Sequence, residues 1–296
     1  MIAPAKNRLL NILLADDGSL NARAAVKLLV DLPHDKECVV TALRVFTPLE
    51  AAEYAEVEES ITHTKKLLQS RHLHARAETR LGYPTEKIIE HASEHHPDLV
   101  VMGARGTGAN LGLLLGSVAM NVVHDGRWPV LIVREPVRGL HKILLVTDGS
   151  PCSQLACNYT GVFPLPSAAS LEVMHVLPPL QASYLVEPLG VSVVAISEED
   201  LQRMRQDQEA EGESLLHKTV EALAGHGLQA RSLLMRGEPA EQIIEYAREY
   251  QVDLIICGSR GLGTVTSMLI GSVSRRLAHH APCSVLVVRC QGQPQA

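Results

Sequence analysis

Two glycine-rich loops contain the residues of this chain that are best suited to bind a ligand. Glycine lets a backbone approach an anion closely, and exposed amides at the first turn of a helix attract phosphate. Both loops have the spacing Gly-x2-Gly-x9-Gly-Ser, which favours phosphate binding. Each serine could add a hydroxyl contact to a phosphate oxygen. The alternative is that the glycines only form tight turns and the serines only cap helices. The residues are Gly103, Gly106, Gly116 and Ser117 in the first loop and Gly258, Gly261, Gly271 and Ser272 in the second.

Charged residues recur at matching places in or near these loops. Asp17 in LLADDGS and Asp148 in LLVTDGS each follow an apolar run, where an open parallel sheet would bind its ligand. The alternative for Asp17 is that its carboxylate only stabilises the start of the following helix and contacts no ligand. Arg105 and Arg260 occupy the same position in the two loops. They either neutralise phosphate or pair with a surface acid.

The two loops belong to two copies of one unit. LLADDGS aligns with LLVTDGS at an offset of 131, and the later segments align at an offset of 155. Over Gly82–Arg134 and Gly237–Arg289, 23 of 53 positions are identical, which indicates a duplication. The change of offset places 24 additional residues in the second copy, and we predict that they lie at about 178–200. The predicted domains are 1–137 and 138–296.

Strands and helices alternate within each copy. Short apolar runs predict the strands, and apolar residues at helical spacing predict the helices between them. Because parallel strands need crossover connections, helices are expected on both faces of the sheet. The sequence therefore predicts an α/β fold with two doubly wound, mostly parallel five-stranded sheets in tandem. In the first copy the predicted strands are 11–15, 39–45, 75–81, 99–102 and 130–133, and the predicted helices are 21–32, 51–71, 84–94 and 116–123.

The glycine spacing, the DGS after the first strand and the closing APCSVLVVR resemble the universal stress protein family, and the resemblance covers both copies. It implies a Rossmann-like (HUP) unit with an ATP site in each half. AMP or ADP as the occupant, and an accompanying Mg²⁺, are left open. The resemblance further implies that Asp17, Asp148 and the backbone around Val45 and Val176 lie near the adenine. The loop glycines and serines would hold the ribose and the phosphates.

The resemblance also bears on how the halves associate. In that family the last strands pair across a dimer, so 130–133 and 285–288 are predicted to pair here as an internal pseudo-dimer. Strands this apolar are an aggregation liability unless they are paired or covered. A homodimer of the whole chain and unnamed protein partners are further expectations.

The two halves differ in ways that predict unequal sites. Ser274 adds a hydroxyl where the first copy has Ala119, so weaker binding is expected at the first site. The insertion at 178–200 is rich in apolar residues. It would fold back as extra core, form a lid over the second site, or contact another protein.

The composition excludes several classes of function. Hydrophobic residues make up 46% and charged residues 20% of the 296 positions, as in ordinary globular proteins. A net charge of -6 with 3% aromatic residues does not suit a nucleic-acid-binding surface. No apolar run approaches the roughly 20 residues of a membrane span, and no signal peptide is predicted. The six cysteines show no CxxC, and the paired histidines have no ligand cluster beside them, so we expect a cytoplasmic protein with reduced thiols and no metal site.

The motifs favour nucleotide binding over turnover. The Walker signature GxxxxGK[ST] is absent, and the loops supply mainly amides and a serine. Efficient phosphoryl transfer requires a fixed Mg²⁺, a cationic clamp and a positioned nucleophile or base. The predicted function is therefore an ATP-binding stress-response or signalling protein whose occupancy alters its shape or partners. A slow ATPase or another nucleotide-using enzyme is the alternative, and a scaffold with empty sites is the third hypothesis.

Overall fold

The computed structural model describes residues 11–33, 38–48, 54–106, 115–180, 198–262 and 270–290. Helices and strands alternate along these ranges. The first half contains β1 (Asn11–Ala15), α1 (Leu20–Asp31), β2 (Val39–Phe46), α2 (Tyr54–Ser70), β3 (His74–Leu81), α3 (Pro84–His95), β4 (Leu99–Gly103), α4 (Ser117–Asp125) and β5 (Val130–Val133). The second half contains β6 (Lys142–Val146), α5 (Pro151–Val162), β7 (Ser170–Leu177), α6 (Glu198–Gly225), β8 (Ala230–Arg236), α7 (Pro239–Glu249), β9 (Leu254–Gly258), α8 (Ser272–His280) and β10 (Ser284–Val288).

The strands form one continuous sheet in the order β3-β2-β1-β4-β5-β10-β9-β6-β7-β8. Neighbours within each half are parallel. The two halves meet at β5 and β10, which pair antiparallel with Leu286 opposite Leu131. The tandem, mostly parallel α/β fold is thus confirmed. The two predicted five-stranded sheets are joined edge to edge, so neither of these apolar strands is left as an open edge.

Each face of the sheet is covered by helices from both halves. One buried cluster packs the sheet against α1, α2, α5 and α6, and the other packs the opposite face against α3, α4, α7 and α8. Parallel strands buried on both faces consist almost entirely of apolar residues, as in the fully buried β5, VLIV. Both clusters run through the β5–β10 junction, so apolar packing as well as hydrogen bonding connects the halves.

The helix after the second strand differs most between the halves. α6 has 28 residues, whereas α2 has 17 in the described part of the chain. Part of the surplus of the second half is therefore helical. Among the described residues, no helix combines the length and the apolar character that a membrane crossing needs.

Leu131 and Leu286 allow a test of whether the two halves unfold as one unit. Both side chains are fully buried in the same cluster, and they face each other across the junction. We expect either leucine-to-alanine substitution to cost about 2–5 kcal/mol of unfolding free energy. The double variant should deviate from additivity by at least about 0.5 kcal/mol, because the two residues share one packing site.

Urea unfolding followed by circular dichroism measures this coupling. Leu13→Ala combined with Leu286→Ala is the control, since Leu13 lies three strands away and in the other cluster. The changes in unfolding free energy caused by these two substitutions should add to within about 0.5 kcal/mol. Additivity of the Leu131 and Leu286 variants as well would contradict a shared core at the junction.

Candidate functional site

Two cavities open at the carboxyl ends of the parallel strands, one in each half. The first, of about 470 Å³, lies beside β1, β2 and β4. The second, of about 450 Å³, lies beside β6, β7 and β9. Each cavity brings together the six residues predicted for its half. They are Asp17, Val45, Gly103, Gly106, Gly116 and Ser117 in the first cavity and Asp148, Val176, Gly258, Gly261, Gly271 and Ser272 in the second.

The aspartate of each DGS segment is oriented by a tight turn. Oδ1 of Asp17 accepts a hydrogen bond from the Ser19 amide at 3.0 Å, and Oδ1 of Asp148 accepts one from the Ser150 amide at 3.0 Å. The glycine inside each turn has a φ of 75° or 78°, a left-handed conformation that glycine adopts without strain. Oδ2 of Asp148 also accepts from the Leu262 amide at 3.1 Å. Both carboxylates are thereby held at the rim of their cavities.

The serine of the DGS segment contributes to the site and was missed in the sequence analysis. Ser19 caps the N-terminus of α1 and donates its hydroxyl hydrogen to the Arg105 carbonyl at 3.1 Å. Ser150 caps α5 in the same way and donates to the Arg260 carbonyl at 3.2 Å. Each serine therefore ties the start of a helix to the glycine loop. Its recurrence in both copies, directly before a helix, was the signal that could have identified it.

The first two glycines of each loop leave no room for a side chain. A Cβ on Gly103 or Gly258 would lie 2.8 or 2.6 Å from backbone atoms of the first turn of α1 or α5. A Cβ on Gly106 or Gly261 would lie 2.5 Å from Oδ2 of the aspartate in the same half. Gly103 and Gly258 are thus required by the packing of the loop against the backbone of its own half, whereas at Gly106 and Gly261 the close neighbour is the end of an aspartate side chain.

The third glycine has a different role, because it begins a helix that points at the cavity. Gly116 is the N-cap of α4 and Gly271 the N-cap of α8, and no side chain of the described residues caps either helix. The amides of Gly116 and Gly271 donate to loop carbonyls at 2.8 and 2.7 Å. The next residues of both helices line the cavities. Uncapped amides and the positive end of the helix dipole therefore face the space where an anion would bind.

Part of the lining of both cavities is apolar. The first is walled by side chains that include Leu43, Ile88 and Met102. The second has Met174 and Ile243 in the corresponding wall. Each cavity thus combines an apolar wall with a polar rim of amides and one carboxylate, an arrangement that suits a ligand with a flat apolar part and an anionic tail.

The loop arginines line the cavities, but the second one is also engaged elsewhere. Arg105 borders the first cavity and Arg260 the second. Nη2 of Arg260 donates to the Cys290 carbonyl at 3.1 Å. This position at the rim is compatible with neutralising a bound anion, but the choice between the two alternatives stays open for both arginines.

The hydroxyl that Ser274 was predicted to add to the second site already forms a hydrogen bond within the protein. Ser274 lines the second cavity, but its hydroxyl donates to the Gly258 carbonyl at 2.7 Å. The hydrogen is therefore used to hold the loop against α8. The weaker binding at the first site, where Ala119 takes this place, stays a prediction.

The second cavity also contains a thiol, from Cys257. Burial raises the pKa of this thiol to about 12, so it stays protonated at neutral pH. A protonated, buried thiol is a poor nucleophile. Cys257 therefore contributes to the apolar lining and not to covalent chemistry.

The predicted lid falls mostly on residues 181–197, which lie outside the described residues. Pro178, at the start of this insertion, lines the second cavity. The insertion thus begins beside the site.

Comparison with known proteins gives a consistent result for both halves. Residues 9–134 and 139–289 each match the universal stress protein family model. The universal stress protein YxiE of Bacillus subtilis (strain 168) is 32% identical over 149 residues, covering 50% of this chain and 99% of its own. A universal stress protein of Thermus aquaticus is 36% identical over 148 residues, covering 50% of this chain and 97% of its own.

Similarity to solved structures extends over the whole chain. The crystal structure of a universal stress protein from Archaeoglobus fulgidus DSM 4304 superposes with a TM-score of 0.63 at 22% sequence identity, covering 96% of this chain and 97% of that one. This similarity supports the tandem fold. With family matches across both halves, the chain belongs to the universal stress protein family.

Proposed function

We propose that each half of this protein binds one adenine nucleotide, with ATP as the expected ligand and AMP or ADP as alternatives. The observation that supports this function is the duplicated cavity, whose lining combines a helix N-terminus without a side-chain cap and apolar side chains. Volumes of about 470 and 450 Å³ lie within the range of small-molecule sites. Two copies of this geometry in one chain favour a binding role over tight turns alone.

The proposed orientation places the base against the apolar wall and the phosphates at the helix. Asp17 and Val45 in the first half, and Asp148 and Val176 in the second, would lie beside the adenine. The loop glycines, with Ser117 and Ser272, would hold the ribose and phosphates. Among the described residues, no group of three or more His, Cys, Asp or Glu side chains is suited to hold a metal ion. A Mg²⁺ ion would therefore enter with the phosphates.

We further propose that nucleotide occupancy alters the shape or the partners of the protein during a stress response, and that turnover is slow or absent. The two domains, 1–137 and 138–296, would act as an internal pseudo-dimer. The antiparallel pairing of β5 with β10 supports that association, because it joins the two halves through their cores. A homodimer and other protein partners would use surfaces outside this junction.

Nucleotide binding is tested by calorimetry and by extraction. We expect two ATP molecules per chain, bound with micromolar affinity or better, which corresponds to about -8 kcal/mol per site. Denaturing extraction of freshly purified protein, followed by chromatography, identifies any nucleotide that is carried along. The absence of both heat and competition at millimolar ATP would exclude the proposed function. Sustained phosphate release over many turnovers per site would instead favour the alternative of a nucleotide-using enzyme.

A further inference from the structure

Arg134 follows β5 of the first half, yet its side chain binds a helix of the second half. Its Nη2 donates to the carbonyls of Ala278 and His279, the latter at 3.0 Å. Both carbonyls belong to the last turn of α8. The last carbonyls of a helix have no partner within the helix, so a guanidinium at this position satisfies them.

Arg289 makes the reciprocal contact from the second half. It follows β10, and its Nη1 and Nη2 donate to the carbonyls of Val123 and His124 at 3.1 and 3.2 Å. These carbonyls belong to the last turn of α4 in the first half. Donor and acceptors are shifted by the same 155 positions as the repeat itself. The crossed contact therefore occurs in both directions.

Both arginines are cations in a poorly hydrated environment. Arg134 is only 7% exposed, and burial lowers its pKa to about 10, which leaves it charged at neutral pH. Burial also lowers the pKa of Arg289. Placing a cation out of water is costly unless the surrounding groups compensate. The negative end of a helix dipole, with the carbonyls that accept from each guanidinium, offsets part of that cost, while Nη1 of Arg134 has no hydrogen-bond partner among the described residues.

The helices held in this way are the two that begin at the cavities. α4 starts at Ser117 beside the first cavity, and α8 starts at Ser272 beside the second. Each helix has nine residues and is therefore about 13.5 Å long. A helix this short moves as a rigid body. Fixing its C-terminal end thus fixes the position of the amides at its N-terminal end.

We propose that Arg134 and Arg289 are crossed positioning residues, each of which aligns the phosphate-binding helix of the other half. Arg134 sets the second site and Arg289 sets the first. This inference rests on the proposed nucleotide binding for its functional consequence. It predicts that the two sites depend on each other through the junction, because each site is complete only when the opposite half is docked.

The test measures each site by itself. Gly116→Glu should remove the first site, so that ATP titration reports only the second. Gly271→Glu should remove the second site, so that titration reports only the first. In the Gly116→Glu background, Arg134→Gln should raise the dissociation constant for ATP about tenfold, since a positioning contact is lost, whereas Arg289→Gln should change it less than about twofold. In the Gly271→Glu background the effects of the two arginine variants should be exchanged.

Arg236→Gln is the control, because Arg236 lies on the edge strand β8 and pairs with Glu209 of α6, and neither residue lines either of the two cavities. It should leave both sites unchanged. Arg134→Lys keeps the positive charge but has fewer hydrogen-bond donors. It should therefore raise the dissociation constant of the second site less than Arg134→Gln does. If Arg134→Gln does not fold, the dissociation constants of Arg134→Lys at the two sites test the inference instead. An effect on the arginine's own half, an equal effect on both sites, or no effect in a folded variant would overturn the inference.

Hydrogen exchange in the ligand-free protein separates this inference from the proposed function. Arg134→Gln should speed amide exchange in α8 and not in α4, and Arg289→Gln should do the reverse. This crossed pattern in a protein that binds no nucleotide would retain the arginine contacts and reject nucleotide binding. Normal ATP binding without a crossed pattern would reject the inference and retain the function.

Discussion

Replacing Gly271 by glutamate should abolish the second site, so that ATP binds with a stoichiometry of one per chain instead of two. A Cβ at this position meets neighbouring atoms at 3.4–3.5 Å, which is ordinary contact, so the loop tolerates the change. The added carboxylate would lie beside the uncapped first turn of α8. There it would occupy the space proposed for a phosphate and repel the phosphate charge. We expect a loss of at least about 100-fold in affinity at this site, or about 2.7 kcal/mol.

Calorimetric titration with ATP measures the stoichiometry, and thermal unfolding checks that the fold is intact. Gly225→Glu is the control, because it adds the same charge at a glycine with nothing within 4 Å of a new Cβ. That variant should still bind two nucleotides. Gly116→Glu should remove the first site in the same manner. Two intact sites in Gly271→Glu would refute the assignment of the third glycine to phosphate binding.

Replacing Gly258 by alanine should destabilise the fold itself. The new Cβ would lie 2.6 Å from the carbonyl carbon and oxygen of Cys152 and 2.8 Å from the Ser153 amide nitrogen. These are backbone atoms of α5, so no side-chain rotation can relieve the overlap. We expect a loss of about 3 kcal/mol in unfolding free energy, at the upper end of the usual cost of overpacking, with loss of the second site.

Urea unfolding provides the measurement for this variant. Gly225→Ala is the matched control, since the same substitution there meets no atom within 4 Å and lies within α6. It should be neutral or stabilising by up to about 1 kcal/mol. Gly103→Ala should repeat the Gly258 effect in the first half, where backbone atoms of α1 lie 2.8 Å away. Equal stability of Gly258→Ala and Gly225→Ala would show that the loop can move away from α5.

The two glycine substitutions also separate the two explanations that the sequence left open. Gly258 and Gly271 belong to one motif and are equally spaced in both copies. The structure shows that the former is required by packing against α5 and that the latter leaves space at a helix N-terminus. Tight packing and phosphate binding can therefore both apply to one motif, because packing accounts for Gly258 and leaves Gly271 available for the proposed phosphate contact.

The sequence by itself determined the features that depend on short segments. Short segments of four to seven residues predicted the strands of the first copy, and the helices follow from their own periodicity. The repeat at offsets of 131 and 155 identified two equivalent units, and the glycine loops were located because their spacing is local. Rules for parallel sheets then placed the loops at the carboxyl ends of the strands, where both cavities lie.

Only the tertiary structure decided which side chains these local signals leave free for a ligand. The position of Ser274 in the sequence predicts a hydroxyl for the ligand, but in the structure this hydroxyl donates a hydrogen bond to the Gly258 carbonyl. Ser19 reads as a simple helix cap, yet it also holds the Arg105 carbonyl, 86 residues away. Arg134 and Arg289 look like ordinary residues after a strand until the halves dock and each meets the last turn of the opposite helix. A hydrogen-bond partner more than a hundred residues distant leaves no periodicity or spacing in the chain, since the contact exists only once two separately encoded surfaces have packed together.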